Sequence, residues 1–353
     1  MNKMRKLEET KILFDDDLNI LTIENGVPSY YQINLINTSK KLHIGIPEEY
    51  RIKISSDIEF YNNISFDGTC SFNDLAKKTG IDKLEELIKE HSIKIAKNFA
   101  DKTNGCKFYG NKYGVFDIDI GERIGVHELP IANVRTFETD YFTFRVFSSI
   151  YEVVRREYNL DKVSNLNELL KYNCFMCSIG INAIVTVDSK KFNKEELLIT
   201  KRSSNTISYH NMYHISVMEG LCNLDYDEYT GNVSVQKCLS RGIEEELGIP
   251  QIYHLQNNTE FKYWDLFLCK DTYNFGITCY VSIKGLYFDD IRSVYAKDRK
   301  FEIDEVESIP SSKSNLENYI RGKNFVPQGL YTLNSYAIRK FGKAIEISSK
   351  HKK

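Results

Sequence analysis

Hydrophobic positions recur along this chain in two periods, and the switches between them mark out its elements. Over the first 66 residues the period is two. Asn19–Ile23 and Tyr30–Leu35 alternate apolar and polar positions on either side of Asn25-Gly26, a pair that favours a hairpin turn. Leu42–Ile46 and Arg51–Ile54 continue as short strands separated by Pro47, and the acidic run Asp15–Asp17 reads as a solvated turn. From Phe72 the period becomes helical. Ser71 or Asn73 is placed to cap a short helix that stops at Gly80, and a longer helix spans Asp82–Asp101. Leu84, Leu87, Ile88, Ile93 and Ile95 form its apolar face. Phe108–Ile120 returns to strand. Arg135–Arg145 interleaves aromatic residues with two arginines and two acids; it reads as a helix start packed on the core, continuing through Tyr158. Stacking a base and pairing a phosphate is the alternative for that stretch.

Asn159–Tyr172 is a polar connector with a short helix. It divides the chain into an α+β domain over residues 1–165, with no role assigned by the sequence, and a second domain over 173–350. In the second, Phe175–Val187 and Leu197–Lys201 read as buried strands, and Tyr213–Val217 leads to Glu219-Gly220. A helix begins near Val233, carries Leu239, Ile243 and Leu247 on one stripe, and ends at Gly248, with Pro250 beyond it. Glu260–Cys269 and Phe275–Lys284 are strand-like, 301–307 alternates as an edge strand, and Thr332–Ile347 closes the unit as a helix.

Composition narrows the class without naming it. A chain of 353 residues exceeds what one core usually supports. With 42% hydrophobic and 27% charged residues it has the make-up of an ordinary globular protein. A net charge of −2 gives no electrostatic case for nucleic acid or an anionic membrane. The most apolar run, Phe175–Val187, is too short to span a bilayer and is interrupted by Ser178, Gly180 and Asn182. The Met1–Asp17 segment has basic residues but no apolar core, so it does not read as a signal peptide. Eight dispersed cysteines point to reduced thiols in a cytoplasmic protein, and the sequence is compatible with self-association.

The candidate chemistry lies at the end of the 233–248 helix. At about 100° per residue, positions 242, 245 and 246 share one narrow arc, and two of them, Glu245 and Glu246, are carboxylates. Like charges so placed call for a cation, and hard ions such as Mg²⁺ take carboxylate and phosphate oxygens. Arg241, Ile243, Glu245, Glu246, Gly248 and Ile249 resemble the second half of the Nudix box, G-x5-E-x7-R-E-U-x-E-E-x-G-U, where U is a bulky aliphatic. Two departures stand out. Gly242 occupies the position of the Glu after the Arg, and the first half is replaced by Glu219-Gly220 followed by an insertion containing Asp225, Asp227 and Glu228.

The resemblance implies an αβα sandwich with a mixed sheet, Mg²⁺ or Mn²⁺ as cofactor, and a nucleotide-type small molecule as ligand. On that footing Glu245 and Glu246 hold the metal, and Arg241 orients them. Glu228 and Glu302 are further metal candidates, and Glu302 or Glu305 could supply the base. Arg202, Glu219 and Gly220 are candidates for substrate contact. Two functions remain open: hydrolysis of a nucleoside diphosphate linked to another group, or nucleotide sensing by a domain that no longer cleaves. A purely structural role is a third, weaker class. The space left by Gly242 suits a bulkier ligand or a carboxylate arriving from Glu219 or Glu228.

Other constellations carry less. Cys174-x2-Cys177 lacks a second pair of ligands and reads as buried thiols. His210 and His214 sit four apart, outside any metal-binding helix pattern. No phosphate-binding glycine loop or serine nucleophile elbow is present.

Overall fold

The computed structural model describes residues 18–23, 32–51, 54, 72–106, 109–120, 131–163, 166–191, 194–206, 209–255, 259–292, 294–297 and 301–345. The expected turn at Asn25-Gly26, the acidic run Asp15–Asp17 and a cap at Ser71 lie outside them.

Thirteen strands are described, and they form two mixed sheets. The strands are β1 Ile20–Ile23, β2 Gln32–Lys41, β3 Asn111–Ile120, β4 Ile131–Asp140, β5 Ile179–Asp188, β6 Glu195–Arg202, β7 Tyr213–Ile215, β8 Val217–Gly220, β9 Tyr226–Asp227, β10 Asn232–Val233, β11 Thr259–Cys269, β12 Asn274–Tyr287 and β13 Ile303–Pro310. The larger sheet runs β1-β11-β12-β5-β6-β13, with β7 on β6 and β8 on β5. Its centre is the parallel pair β5–β12, in register from Ile179↔Phe275 to Val187↔Ile283. Ile181, Ala183 and Val185 face one core and Ile184 the other, as expected of a strand covered on both sides. The Val235–Leu247 helix covers the first face through Leu239, Ile243 and Leu247. The Pro327–Phe341 helix covers the second through Leu330, Leu333 and Tyr336. The second half is therefore the expected three-layer αβα arrangement.

The smaller sheet runs β3-β4-β2-β10-β9. The Leu84–Ala100 and Tyr141–Glu157 helices share the larger core with this sheet through Ile88, Ile95, Val146 and Ile150. Strands cross between the halves. β1 pairs with β11 (Ile20↔Cys269), and β10 pairs with β2 (Val233↔Leu35). Consequently β1 and β2 lie in different sheets, and the hairpin pairing expected of them does not form. β2 instead finds a parallel partner in β4, whose buried Ala132 and Val134 set the register.

Three further expectations are corrected. Leu42–Ile46 is buried but not a strand; its backbone is tied locally, by Leu42 N–H to Glu138 O (2.9 Å) and by the Thr139 hydroxyl to Leu42 O (2.7 Å). Pro47 then opens a helical turn over Glu48–Arg51, which occupies the start of the expected Arg51–Ile54 strand. The helix expected from Arg135 begins only at Tyr141, because the preceding six residues pair with β3 and β2. Asp140 caps it by accepting the Thr143 N–H at 2.7 Å, and it holds His43 at 2.6 Å. Among the described residues no helix is long and apolar enough to cross a membrane.

Candidate functional site

The centre of the site is the side chain of Arg241, two turns into the Val235–Leu247 helix. Its Nε and Nη2 donate to the two carboxylate oxygens of Asp225 at 3.0 and 2.9 Å. Nη1 meets Glu219 at 3.1 Å and Glu245 at 3.2 Å, and Nη2 also donates to the Gly220 carbonyl at 2.9 Å. A guanidinium has five N–H donors in a fixed fork. Five acceptor contacts from β8, the following turn and its own helix use them all. Asp225 is fully buried, and its second function is to accept the Cys222 N–H at 2.9 Å, which closes that turn. The acid in the insertion that matters here is thus Asp225, which the spacing alone did not single out.

The other predicted residues separate. Glu219 and Glu245 both reach Arg241. Glu245 is also bridged to Lys297 at 2.7 Å. Glu246 turns inward, is 6% exposed, and accepts the Met218 N–H at 3.1 Å. The two neighbouring glutamates therefore do not present themselves as one metal face: Arg241 and Lys297 draw one, and the β8 backbone draws the other. Glu228 is exposed at the β9–β10 turn and does not line the cleft, and Glu305 faces a different hollow, beside Arg292 and Phe288.

Arg202, Glu219, Gly220 and Glu302 do come together, around an open cleft with a cavity volume of about 360 Å³. The rest of its lining includes Tyr109, Lys112, Tyr141, Asn205, Cys222 and Phe301. Tyr109, Lys112 and Tyr141 come from the first half, brought in by long-range pairing that no local sequence signal announces. Tyr141 belongs to the Arg135–Arg145 stretch, whose Phe137 and Phe142 are core residues as expected, while Tyr141 reaches the cleft wall.

Electrostatically the acidic side is under tension. Burial pushes the Glu219 carboxyl up to about 7 against the pull of Arg241, with Glu302 and Glu245 adding to the rise. Burial also raises Glu246 well above the ordinary carboxylate range, reinforced by Glu219 and Glu302. Such mutual repulsion fits a donor set for a hard divalent cation in charge and in ligand type. The cation would have to gather the set, because among the described residues no three His, Cys, Asp or Glu side chains are arranged to hold a metal ion.

Gly242 has a concrete reason to be Gly. A Cβ built on it would fall 2.7 Å from Val217 Cγ1 and 2.9 Å from Glu219 Cβ. β8 packs directly on the helix there, and the stem of Glu219 fills the volume that a side chain at 242 would take. Cys174 and Cys177 are buried thiols, the latter donating to Cys174 O at 3.0 Å. His214 is buried, with its pKa lowered to about 3 by burial and by Arg202, whereas His210 is exposed.

No family model matches the chain, and no curated protein matches it. Solved structures do, 22 chains of them. A MutT/Nudix family protein from Listeria innocua is 12% identical over 47% of this chain and 94% of that one, with a TM-score of 0.32. The Nudix domain of Shewanella oneidensis NrtR, solved with ADP-ribose, is 12% identical over 46% and 87%, with a TM-score of 0.29. A protein of Deinococcus radiodurans, DR0079, is 15% identical over 45% and 83%, with a TM-score of 0.31.

Two outcomes are expected from this geometry. Helix propensity alone would make Gly242→Ala stabilising by about 1 kcal/mol. The contact with β8 reverses the sign, to a loss of about 1–3 kcal/mol in urea denaturation; a more stable variant would mean that the close approach does not exist. The second concerns pH. Glu219 holds its proton more tightly folded (about 7) than at its ordinary value of 4.5, so its stabilising contribution is complete below pH 4.5 and lost as pH rises to 7. Relative to Glu219→Gln, the wild type should lose up to about 3 kcal/mol across that window; parallel stability curves for the two proteins would refute it.

Proposed function

We propose that this protein is a Nudix-type, divalent-metal-dependent hydrolase of a nucleoside diphosphate linked to another group. One observation carries the reading: three acids from separate elements converge on Arg241 beside a cleft that also holds Arg202, Glu302 and aromatic side chains. Glu219, Glu245 and Glu246 are the side chains that would hold Mg²⁺ or Mn²⁺, Glu219 standing in for the box carboxylate that Gly242 lacks. Such an ion, when bound, neutralises charge on the bridging phosphates and makes a coordinated water more acidic.

The protein's own part is positioning and proton transfer. Arg241 fixes the carboxylates without touching substrate, since its donors are spent. Arg202, at the end of β6, lines the same cleft and balances phosphate charge there. Glu302, just ahead of β13, lines the same cleft and is the carboxylate offered as acceptor for the proton of the attacking water. Tyr109, Tyr141 and Phe301 offer ring faces and edges to the base or to the second group.

A second reading has its own support. Arg241 already compensates Glu219 and Glu245, so the site is consistent with binding a nucleotide without cleaving it. ADP-ribose and related nucleoside diphosphate compounds, assayed with Mg²⁺ or Mn²⁺, separate the two. Under the first reading, Glu245→Gln and Glu246→Gln each lower turnover about a hundredfold or more while the fold is retained. Tight binding with no turnover in the wild type would select the second reading. Turnover indifferent to both substitutions would remove the metal-site assignment.

A further inference from the structure

Lys112 is the residue of the cleft whose presence the acidic cluster does not explain. It lies on β3, in the first half of the chain. The Tyr113 N–H donates to Leu221 O at 3.3 Å, and this single backbone bond sets β3 against the end of β8. Its neighbour Lys112 is thereby delivered beside Gly220, so close that a Cβ on Gly220 would stand 3.0 Å from Lys112 Nζ. The Tyr141 N–H, donating to Gly110 O at 2.9 Å, brings the Tyr141 ring to the same place.

The ammonium has weak company there. Its ring neighbours are Phe144, at 5.2 Å, and Tyr141, at 5.9 Å, and no hydrogen bond or ion pair to it is formed among the described residues. Glu219 is near enough to act on it electrostatically, yet that carboxylate is engaged by Arg241 and by the Gly220 N–H at 2.9 Å. Burial accordingly lowers the Lys112 pKa, with Glu219 opposing only in part. Taking a charge out of water without a partner is costly. A folded chain that keeps three unspent N–H donors at a cleft wall has a place for an anion.

We infer that Lys112 is an anion anchor supplied by the first half of the chain, which grips a phosphate of the ligand in the cleft that Arg202 also lines. This rests on the reading of the cleft as a diphosphate site and adds the group that recognises the second phosphate. Lys112 and Arg202 line the same hollow as Glu219 and Glu302, so the cations and acids offer complementary walls to a diphosphate and its counter-ion. The Tyr141 ring beside Lys112 then meets whatever is attached to that phosphate. The first half is thereby a part of the binding site, and ligand selection is shared between the two halves.

The test is calorimetric titration of the full-length chain with inorganic pyrophosphate and with ADP, each in the presence of Mg²⁺ and again in EDTA. Lys112→Met should weaken both by about tenfold or more, the worth of a charge-assisted hydrogen bond, and Lys112→Arg should recover most of that loss. Lys112→Met should also melt no lower than the wild type, because the half-buried ammonium has no ion pair to lose. A lysine with a merely structural role would lower the melting temperature and leave affinity untouched. Wild-type affinity in Lys112→Met, with Arg202→Ala weakened, overturns the anchor and leaves the diphosphate site standing. A wild type that binds neither pyrophosphate nor ADP overturns both.

Discussion

The bidentate pairing of Arg241 with Asp225, extended to Glu219, Glu245 and the Gly220 carbonyl, is the interaction on which the site depends. It ties the helix to the end of β8 and to the turn that directly follows that strand. Asp225 is buried, at 1% side-chain exposure, while Arg241 at 13%, Glu245 at 17% and Glu219 at 20% are partly buried. At that depth a broken pair costs far more than an intact one contributes, about 3–5 kcal/mol when one partner is removed. The arginine is accordingly a structural cation, and its position dictates which carboxylates remain for anything else. Glu246, tucked under the β8 backbone, makes no contact with it.

The same economy of space explains the helix–strand contact. β8 can lie on the helix only if position 242 has no side chain, and once it does, the Glu219 stem occupies the vacated volume. The strand's Glu219 stem, rather than a side chain of the helix, therefore fills that volume. Gly242 and Glu219 constitute one packing unit, and a substitution at either is felt by the other. A departure from a sequence motif at one position need not be a departure in the charge that surrounds a ligand.

Much of the second half was legible in the sequence. The Leu239–Ile243–Leu247 stripe and the Gly248 stop give the helix to within two residues, because 3.6-residue periodicity and a left-handed terminator are local properties. The αβα layering follows from the continuous apolar run of β5. The role of Glu219 at Gly242 was one of the alternatives that the missing side chain raised. What escaped was non-local. β1 and β2 carry good strand patterns, yet nothing in them says that β1 pairs with β11 and β2 with β4 and β10. Lys112 reads in isolation as a solvated lysine at a strand start; only the β3–β8 contact makes it a wall of the cleft.

That crossing of strands bears on how the two halves work. If each half closed its own sheet, a ligand in the cleft would meet one surface. As the chain is folded, β10 belongs to the sheet of the first half and leads directly into the helix that carries Arg241, Glu245 and Glu246. On the other side, β3 touches the strand end that carries Glu219 and Gly220. Any shift of the smaller sheet relative to the larger one therefore moves Lys112 and Tyr141 against the carboxylates. An anion bridging the two walls would resist that shift and stiffen the joint between the sheets. An anion held by Lys112 would in that way link binding to the mutual position of the halves.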